Sequence, residues 1–435
     1  PLLANKPRSG RITAEKNNEK LGTTEWMLSN GARVVLKPTD FKNDQILFSA
    51  TSAGGSSLAD DRDYLSAQMA ANIIDNGGVA DFDETTLTKM LAGKKVSLSP
   101  TISQLQQGFN GNCAPKDAET MFQLVYLYAI SPRKDPEAFK AFRSQMETFL
   151  KNRSADPNSA FRDTLQVTMA QYSPREKPFT MESLDQIDLD RSFTFYKKRF
   201  SDFGGFTFYL VGNLDIPKMR EYCETYLASL PTAGHKESWK DLGINPPKGM
   251  ITKSVYKGIE AKSNVAINIT GPFVWNVKNR MELQAMTEVL AIKLRETLRE
   301  DMGGVYGVRV NSSPIHYPHE RYELSIGFGC DPARVNDLIG ATKRKLDTMT
   351  MKPPEEIYMT KIKQTELHEL EVNMKENNFW LRALSQYYWN GEDPNLLLDR
   401  KEMISGLSAE DIHRAAQKYC SKENMVEVVL YPEKN

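Results

Sequence analysis

At 435 residues the chain has length for roughly two to four domains, each with a sizeable core. Lys plus Arg total 56 and Asp plus Glu total 56, so no global basic field exists to attract nucleic acid or an anionic lipid surface. Apolar residues make up 40%, yet no uninterrupted apolar run approaches the ~20 residues of a transmembrane helix.

In chain order, residues 1–23 are polar, carry two prolines and lack the apolar core of a signal peptide, and so read as a linker. Residues 24–231 read as a first α+β domain. TEWMLSNGARVVLKPTD predicts a hairpin turning at Ser29, Asn30 and Gly31, with a third strand over Gln45–Ser52. DYLSAQMAANII, from Asp63 to Ile74, predicts a helix apolar on most faces and therefore buried. A helix over Thr85–Leu91, strands over Val96–Pro100 and Gln107–Asn112, and helices over Lys116–Ile130, Pro136–Lys151 and Asn158–Tyr172 follow. A helix over Leu189–Phe200 leads into a buried strand over Phe206–Gly212, and a helix over Asp215–Leu230 stops at Pro231. Residues 232–249 hold Gly234, Gly243, Pro246, Pro247 and Gly249 and read as a linker. Residues 250–435 read as a second domain, with strands near Ser254 and over Val265–Thr270 and a helix over Arg280–Arg299.

The order of elements repeats. Cys113 in GFNGNCAPKDAE and Cys330 in SIGFGCDPARVN each follow a strand, with a proline two residues on and a helix beyond. FYKKRFSDFGGFTFYLVG aligns with AAQKYCSKENMVEVVLYP when Phe200 is laid on Cys420, at nearly the same offset. Two tandem copies of one α+β unit, each an antiparallel sheet packed with helices, account for this. The cysteines Cys113, Cys223, Cys330 and Cys420 form no CxxC pair, which argues for buried free thiols.

The most informative chemistry lies in KLRETLREDMGGVYGVRV, Lys293 to Val310. Leu294 and Leu298 continue a helical apolar face, Gly303 and Gly304 end the helix, and Val305 to Val310 read as a strand. Arg299 and Tyr306 thereby come to one edge of a sheet, where a fixed guanidinium and a phenol suit a peptide carbonyl or a developing oxyanion. A surface arginine and a sheet tyrosine would look the same in sequence.

LSNGARVVLKPTDF, FTFYLVGNLDIPKMREYCETYLASLP, LRETLREDMGGVYGV and ENNFWLRALSQYYWNGEDP together resemble the pitrilysin or insulinase-type zinc metallopeptidases, over nearly the whole chain from Thr24 onward. The match is to their carboxy-terminal half, which lacks zinc. A catalytic half of that family carries an inverted HxxEH motif, two histidines on one helical face holding zinc and a glutamate activating water. Here Ala67, Ala70 and Ala71 stand at those positions, in Ala67-Gln68-Met69-Ala70-Ala71, and none can ligate metal or move a proton. Glu147 is the nearest counterpart of the family's downstream glutamate ligand, although a solvated carboxylate on a charged helix fits it equally.

Of the five histidines, His235 falls in the linker, His368 and His413 on helices, and His316 and His319 in a proline-bounded turn beside Glu320, so no intrinsic metal site is expected. Phe379, Trp380, Tyr387, Tyr388 and Trp389 lie at helical spacing and read as core, with some available to a peptide groove. The resemblance implies two related halves closing around an extended peptide. A zinc-bearing amino-terminal half, fused upstream or a separate subunit, is the expected partner. This chain alone is expected to be inactive, with Arg299 and Tyr306 binding substrate and stabilising the transition state beside that partner. Relatives with linked halves are often exported bacterial proteins, so the resemblance implies a periplasmic or otherwise exported protein without fixing the compartment. The alternative is a peptide-binding or assembly subunit with no role in catalysis.

Overall fold

The computed structural model describes residues 2–234 and 237–433; His235 lies outside the described residues. Strands β1 (Ile12–Asn18), β2 (Thr23–Leu28), β3 (Arg33–Pro38) and β4 (Ile46–Ala53) open the chain. They are followed by α1 (Tyr64–Gly77), α2 (Glu84–Met90), β5 (Val96–Ile102), β6 (Gln106–Cys113), α3 (Ala118–Ile130), α4 (Pro136–Ala155) and α5 (Pro157–Met169). Then come α6 (Met181–Asp185), α7 (Leu189–Arg199), β7 (Thr207–Gly212) and α8 (Ile216–Tyr222). The second copy begins with β8 (Met250–Tyr256), β9 (Ser263–Pro272), α9 (Val277–Leu294), β10 (Val305–Ile315), β11 (Arg321–Cys330) and α10 (Val335–Met351). It ends with α11 (Glu356–Asn373), α12 (Asn377–Trp389), α13 (Arg400–Gly406), α14 (Ala409–Tyr419) and β12 (Met425–Tyr431).

The first sheet has the order β1-β2-β3-β7-β4-β6-β5 and the second β10-β11-β9-β12-β8. Read from its β8 end, the second sheet repeats the β3-β7-β4-β6-β5 core of the first. In both, one parallel pair joins otherwise antiparallel strands: β3 with β7, Val34 opposite Phe208, and β8 with β12, Ile251 opposite Val426. The proposed equivalences fall on matching elements. Cys113 and Cys330 end β6 and β11, while Phe200 and Cys420 cap α7 and α14. The α+β fold and its internal duplication are thus borne out.

Compact units do not follow the sequence halves. The first consists of residues 1–148, 180–242 and 372–397, the second of 149–179, 243–371 and 398–435. In the first unit α12 lies on the sheet, where Tyr388 Oη donates to Glu25 at 2.7 Å and Asn377 Nδ2 to Gln45 Oε1 at 2.9 Å. In the second, α5 lies on β12 and β8, and Asn264 Nδ2 donates to Asn158 Oδ1 at 2.6 Å. Sequence periodicity shows that a helix has an apolar face but not which sheet takes it. Residues 12–18, read as linker, instead add β1 to the first sheet, with Trp26 Nε1 donating to Glu15 at 3.0 Å. Their polar alternation hid a strand whose outer side faces solvent.

Each unit has its own core. Trp26, Phe48, Phe109, Phe122 and Phe208 centre the first, and Leu294, Leu298, Leu324, Ile326 and Leu338 the second. Among the described residues no helix is long and apolar enough to cross a membrane.

All four cysteines are buried and free. Burial pushes the Cys113 and Cys420 thiols up to about 12 and Cys330 to about 11, and raises Cys223 as well. We expect a disulfide-exchange reagent at about pH 8 to modify none of them in the native protein and all of them after unfolding in guanidinium. Rapid labelling without denaturant would contradict this packing.

Candidate functional site

The helix that carries the arginine does not end as an ordinary α-helix. After α9 the chain makes a wide, π-helical turn over Arg295–Asp301, with Met302 N donating to Thr297 O at 3.1 Å. Such turns insert one extra residue and occur frequently at functional sites. Gly303 follows at φ +56°, and Gly304 N reaches back to Leu298 O at 2.9 Å, closing the turn. A Cβ on Gly304 would lie 2.5 Å from Leu338 Cδ2, and Leu338 is fully buried, so this approach requires glycine.

Beyond the glycines, Val305 is buried and pairs with Cys330, while the ladder resumes only at Val308 opposite Phe328. Tyr306 and Gly307 sit in that irregularity, a bulge of the kind found beside active sites. Tyr306 is 89% exposed and Arg299 is also exposed. Neither side chain has a hydrogen-bond or ion-pair partner among the described residues, and no bond links the two. Both donor groups are therefore free for a ligand.

The turn beneath them is tied down. Leu294 and Leu298 are fully buried. Lys293 Nζ donates to Glu355 Oε2 at 2.6 Å and lies 4.2 Å from the centre of the Tyr358 ring. Tyr358 Oη donates to Glu296 at 2.6 Å, and that bond, with burial, pushes the phenol up to about 12. The Lys293 bond holds the Glu355 carboxyl down at about 2. Thus Glu355, just before α11, and Tyr358 on α11 fix the turn from its polar side, tertiary contacts with no signal in the sequence.

Ala67, Ala70 and Ala71 lie on α1 and are buried in the first core. Ser192 Oγ donates to Ser66 O at 2.9 Å, and Asp188 N to Ser66 Oγ at 3.0 Å, which brings α7 close against this helix. Three methyl groups offer no lone pair, so these positions do not fit zinc. Glu147 lies part-exposed on α4, and among the described residues no group of three or more His, Cys, Asp or Glu is arranged to hold a metal ion.

His316 stacks on Trp275, with ring centres 4.6 Å apart, and its Nε2 lies 3.5 Å from Glu320 Oε1. His413 Nε2 lies 3.0 Å from Thr350 O. His368 is exposed on α11. In the aromatic set, Trp380 and Tyr387 are buried, and Lys37 and Arg33 lie over Trp380 and Tyr388. That set chiefly packs α12 onto its sheet.

Residues 186–365 match the Peptidase M16 inactive domain. The resemblance is borne out: the chain is related to M16 zinc proteases. It is 23% identical over 429 residues to the "Probable zinc protease PqqL" of Haemophilus influenzae, covering 97% of this chain and 45% of that protein. Its fold is similar to the ferredoxin protease FusC, solved as a mutant in complex with Arabidopsis ferredoxin, with a TM-score of 0.87, 20% identity, and coverage of 100% of this chain and 47% of that one. The periplasmic protease PqqL from Escherichia coli gives a TM-score of 0.87 and 19% identity, covering 100% of this chain and 48% of that one. The chain spans about half the length of the M16 relatives it matches.

One buried pair, on α11 and α9, was missed in sequence. Glu366 on α11 is buried, its Oε1 has no hydrogen-bond partner among the described residues, and burial followed by the neighbouring Glu288 on α9 pushes it up to about 8. Glu288 is raised too, by burial first and by Glu369, while Arg400 partly offsets the effect on Glu366. A carboxyl raised on folding makes the native state bind its proton more tightly, so stability falls as pH rises from the unfolded value through the folded one. We expect the Tm to decline between about pH 5 and 8 and the decline to flatten in Glu366→Gln, measured by calorimetry. Parallel pH profiles for the two proteins would contradict a raised Glu366 carboxyl.

Proposed function

We propose that this chain is the non-catalytic, carboxy-terminal half of a two-half zinc endopeptidase and that Arg299 and Tyr306 complete the active site of the other half. The observation that carries the reading is a pair of exposed, unpartnered donors on a turn clamped from below, in a chain whose α1 offers only alanine where the family's metal ligands stand. The relation to zinc proteases of about twice this length supports a partner half. Zinc on that half would supply a water activated for attack on a peptide carbonyl.

This chain's part is binding and electrostatics. The Arg299 guanidinium offers forked N–H donors to backbone carbonyls of an extended peptide, and the Tyr306 phenol offers one O–H donor to the carbonyl oxygen as it gains negative charge. Clamping of the turn fixes the backbone from which both side chains project, which lessens the reorganisation needed as charge develops. Both side chains are exposed, so their removal has little consequence for folding.

In the complete enzyme, Tyr306→Phe and Arg299→Ala are each expected to lower kcat for a peptide by about a hundred-fold or more, with unchanged Tm and unchanged zinc content. Unaltered turnover in both variants would reject this role and leave the chain as a peptide-binding or assembly subunit.

A further inference from the structure

Arg199, at the end of α7, is a cation inside the first core. Its side chain is 1% exposed, and its Nε has no hydrogen-bond partner among the described residues. Both terminal nitrogens donate to one carboxylate, Nη1 to Glu237 Oε2 at 2.7 Å and Nη2 to Glu237 Oε1 at 2.9 Å. Glu237 comes from the breaker-rich stretch 232–249 and not from the helices and strands that bury the arginine. Further along, Lys240 N donates to Ser57 Oγ at 2.9 Å, and Ser57 is fully buried with its hydroxyl bonded to Gly54 O at 2.6 Å. Residues 237–240 are thus held at two points on the first unit, to which they belong.

The first unit builds a receptor around the guanidinium. Gly54, at φ +140°, lies against it: a Cβ there would sit 2.9 Å from Arg199 Nη1 and 2.8 Å from Gln107 Oε1. Gln107 Oε1 accepts from Gly55 N at 2.7 Å, which fixes the loop on β6. Phe195 covers another side, with its ring centre 5.4 Å from the guanidinium carbon. The cation also lies in the last turn of α7, where the helix dipole favours positive charge. None of these neighbours carries a negative charge, so the pocket is complete only with a carboxylate in it.

The internal duplication supplies a control. With Phe200 laid on Cys420, Arg199 falls on Tyr419, and β9 is followed by Phe273 where β4 is followed by Gly54. In the second unit Tyr419 is buried against Phe273 and Tyr322, with ring centres 5.6 and 4.8 Å away. Aromatic packing fills there the place that glycine and arginine leave to a carboxylate in the first copy. The charged version occurs in the copy that the connecting stretch 232–249 leaves.

We propose that Arg199 and the Gly54–Ser57 loop form a carboxylate-binding socket, filled from the same chain by Glu237, and that residues 237–240 are a strap latched there. The connection between the copies is thereby shortened to residues 241–249. The Glu237 side chain is 45% exposed whereas Arg199 is enclosed, so the latch opens from the strap side, and an open socket takes another carboxylate in its place. This device is independent of the role of Arg299 and Tyr306.

The test uses the full chain and hydrogen exchange over residues 237–242, read by mass spectrometry. Glu237→Ala is expected to speed exchange there about a hundredfold. Because that variant leaves a buried cation without its partner, the chain carrying both Arg199→Met and Glu237→Ala, free of the unpaired charge, is measured beside it with the same expected result. Acetate, which replaces the lost carboxylate, is expected to raise the Tm of Glu237→Ala above its value in an equal concentration of chloride. It is expected to do so in neither the unaltered chain nor the doubly substituted one. Unchanged exchange in both variants would overturn the latch. No acetate effect on Glu237→Ala, or an equal one in all three proteins, would overturn the socket.

Discussion

The burial of Leu298 is the contact on which the candidate site depends. Leu294 and Leu298 both point into the second core, and a π-helical turn lets the chain keep both inside while turning sharply at Gly303. The residue after Leu298, Arg299, is exposed. On the other side of the glycines Val305 is buried, and the bulge that follows it directs the next side chain, Tyr306, to solvent. A polar clamp from Glu355 and from Tyr358 on α11 holds the turn between these anchors. Exposed donors projecting from a fixed backbone result, so a bound substrate would have only the side-chain torsions left to order before they can stabilise an oxyanion.

The same fold appears twice with different use. α1 follows β4 as α9 follows β9, and both helices pack on the sheet of their own unit. In the first copy the helix has become core. Ala67 and Ala70 are fully buried and α7 packs closely against the helix through Ser66 and Ser192. An imidazole at either position would have to displace well-packed neighbours, which costs on the order of 1–3 kcal/mol in such cores. Small side chains there favour stability and leave no route to a metal site by single substitutions.

Much of this was legible in the sequence because periodicity and punctuation are local. The run Asp63–Ile74, the glycine pair at Gly303 and Gly304, and the parallel contexts of Cys113 and Cys330 each announce an element or a repeat from neighbouring residues alone. What escaped was tertiary. Nothing in residues 12–18 marks a strand until β2 supplies its partner. No local signal places α5 with the second unit and α12 with the first, or brings Glu366 to Glu288. Arg299 and Tyr306 could be singled out by residue type and resemblance, whereas their freedom from partners and the wide turn beneath them are properties of the folded chain.

If this chain is one part of an enzyme, mixing the parts tests that most directly. A zinc-bearing amino-terminal half, expressed separately, would be combined with this chain at increasing ratio while cleavage of a quenched fluorescent peptide is followed. The expected result is no cleavage by either alone, saturable activity on mixing, and zinc recovered only with the amino-terminal half. Chelator-resistant cleavage by this chain alone, or full activity of the other half without it, would contradict a divided active site.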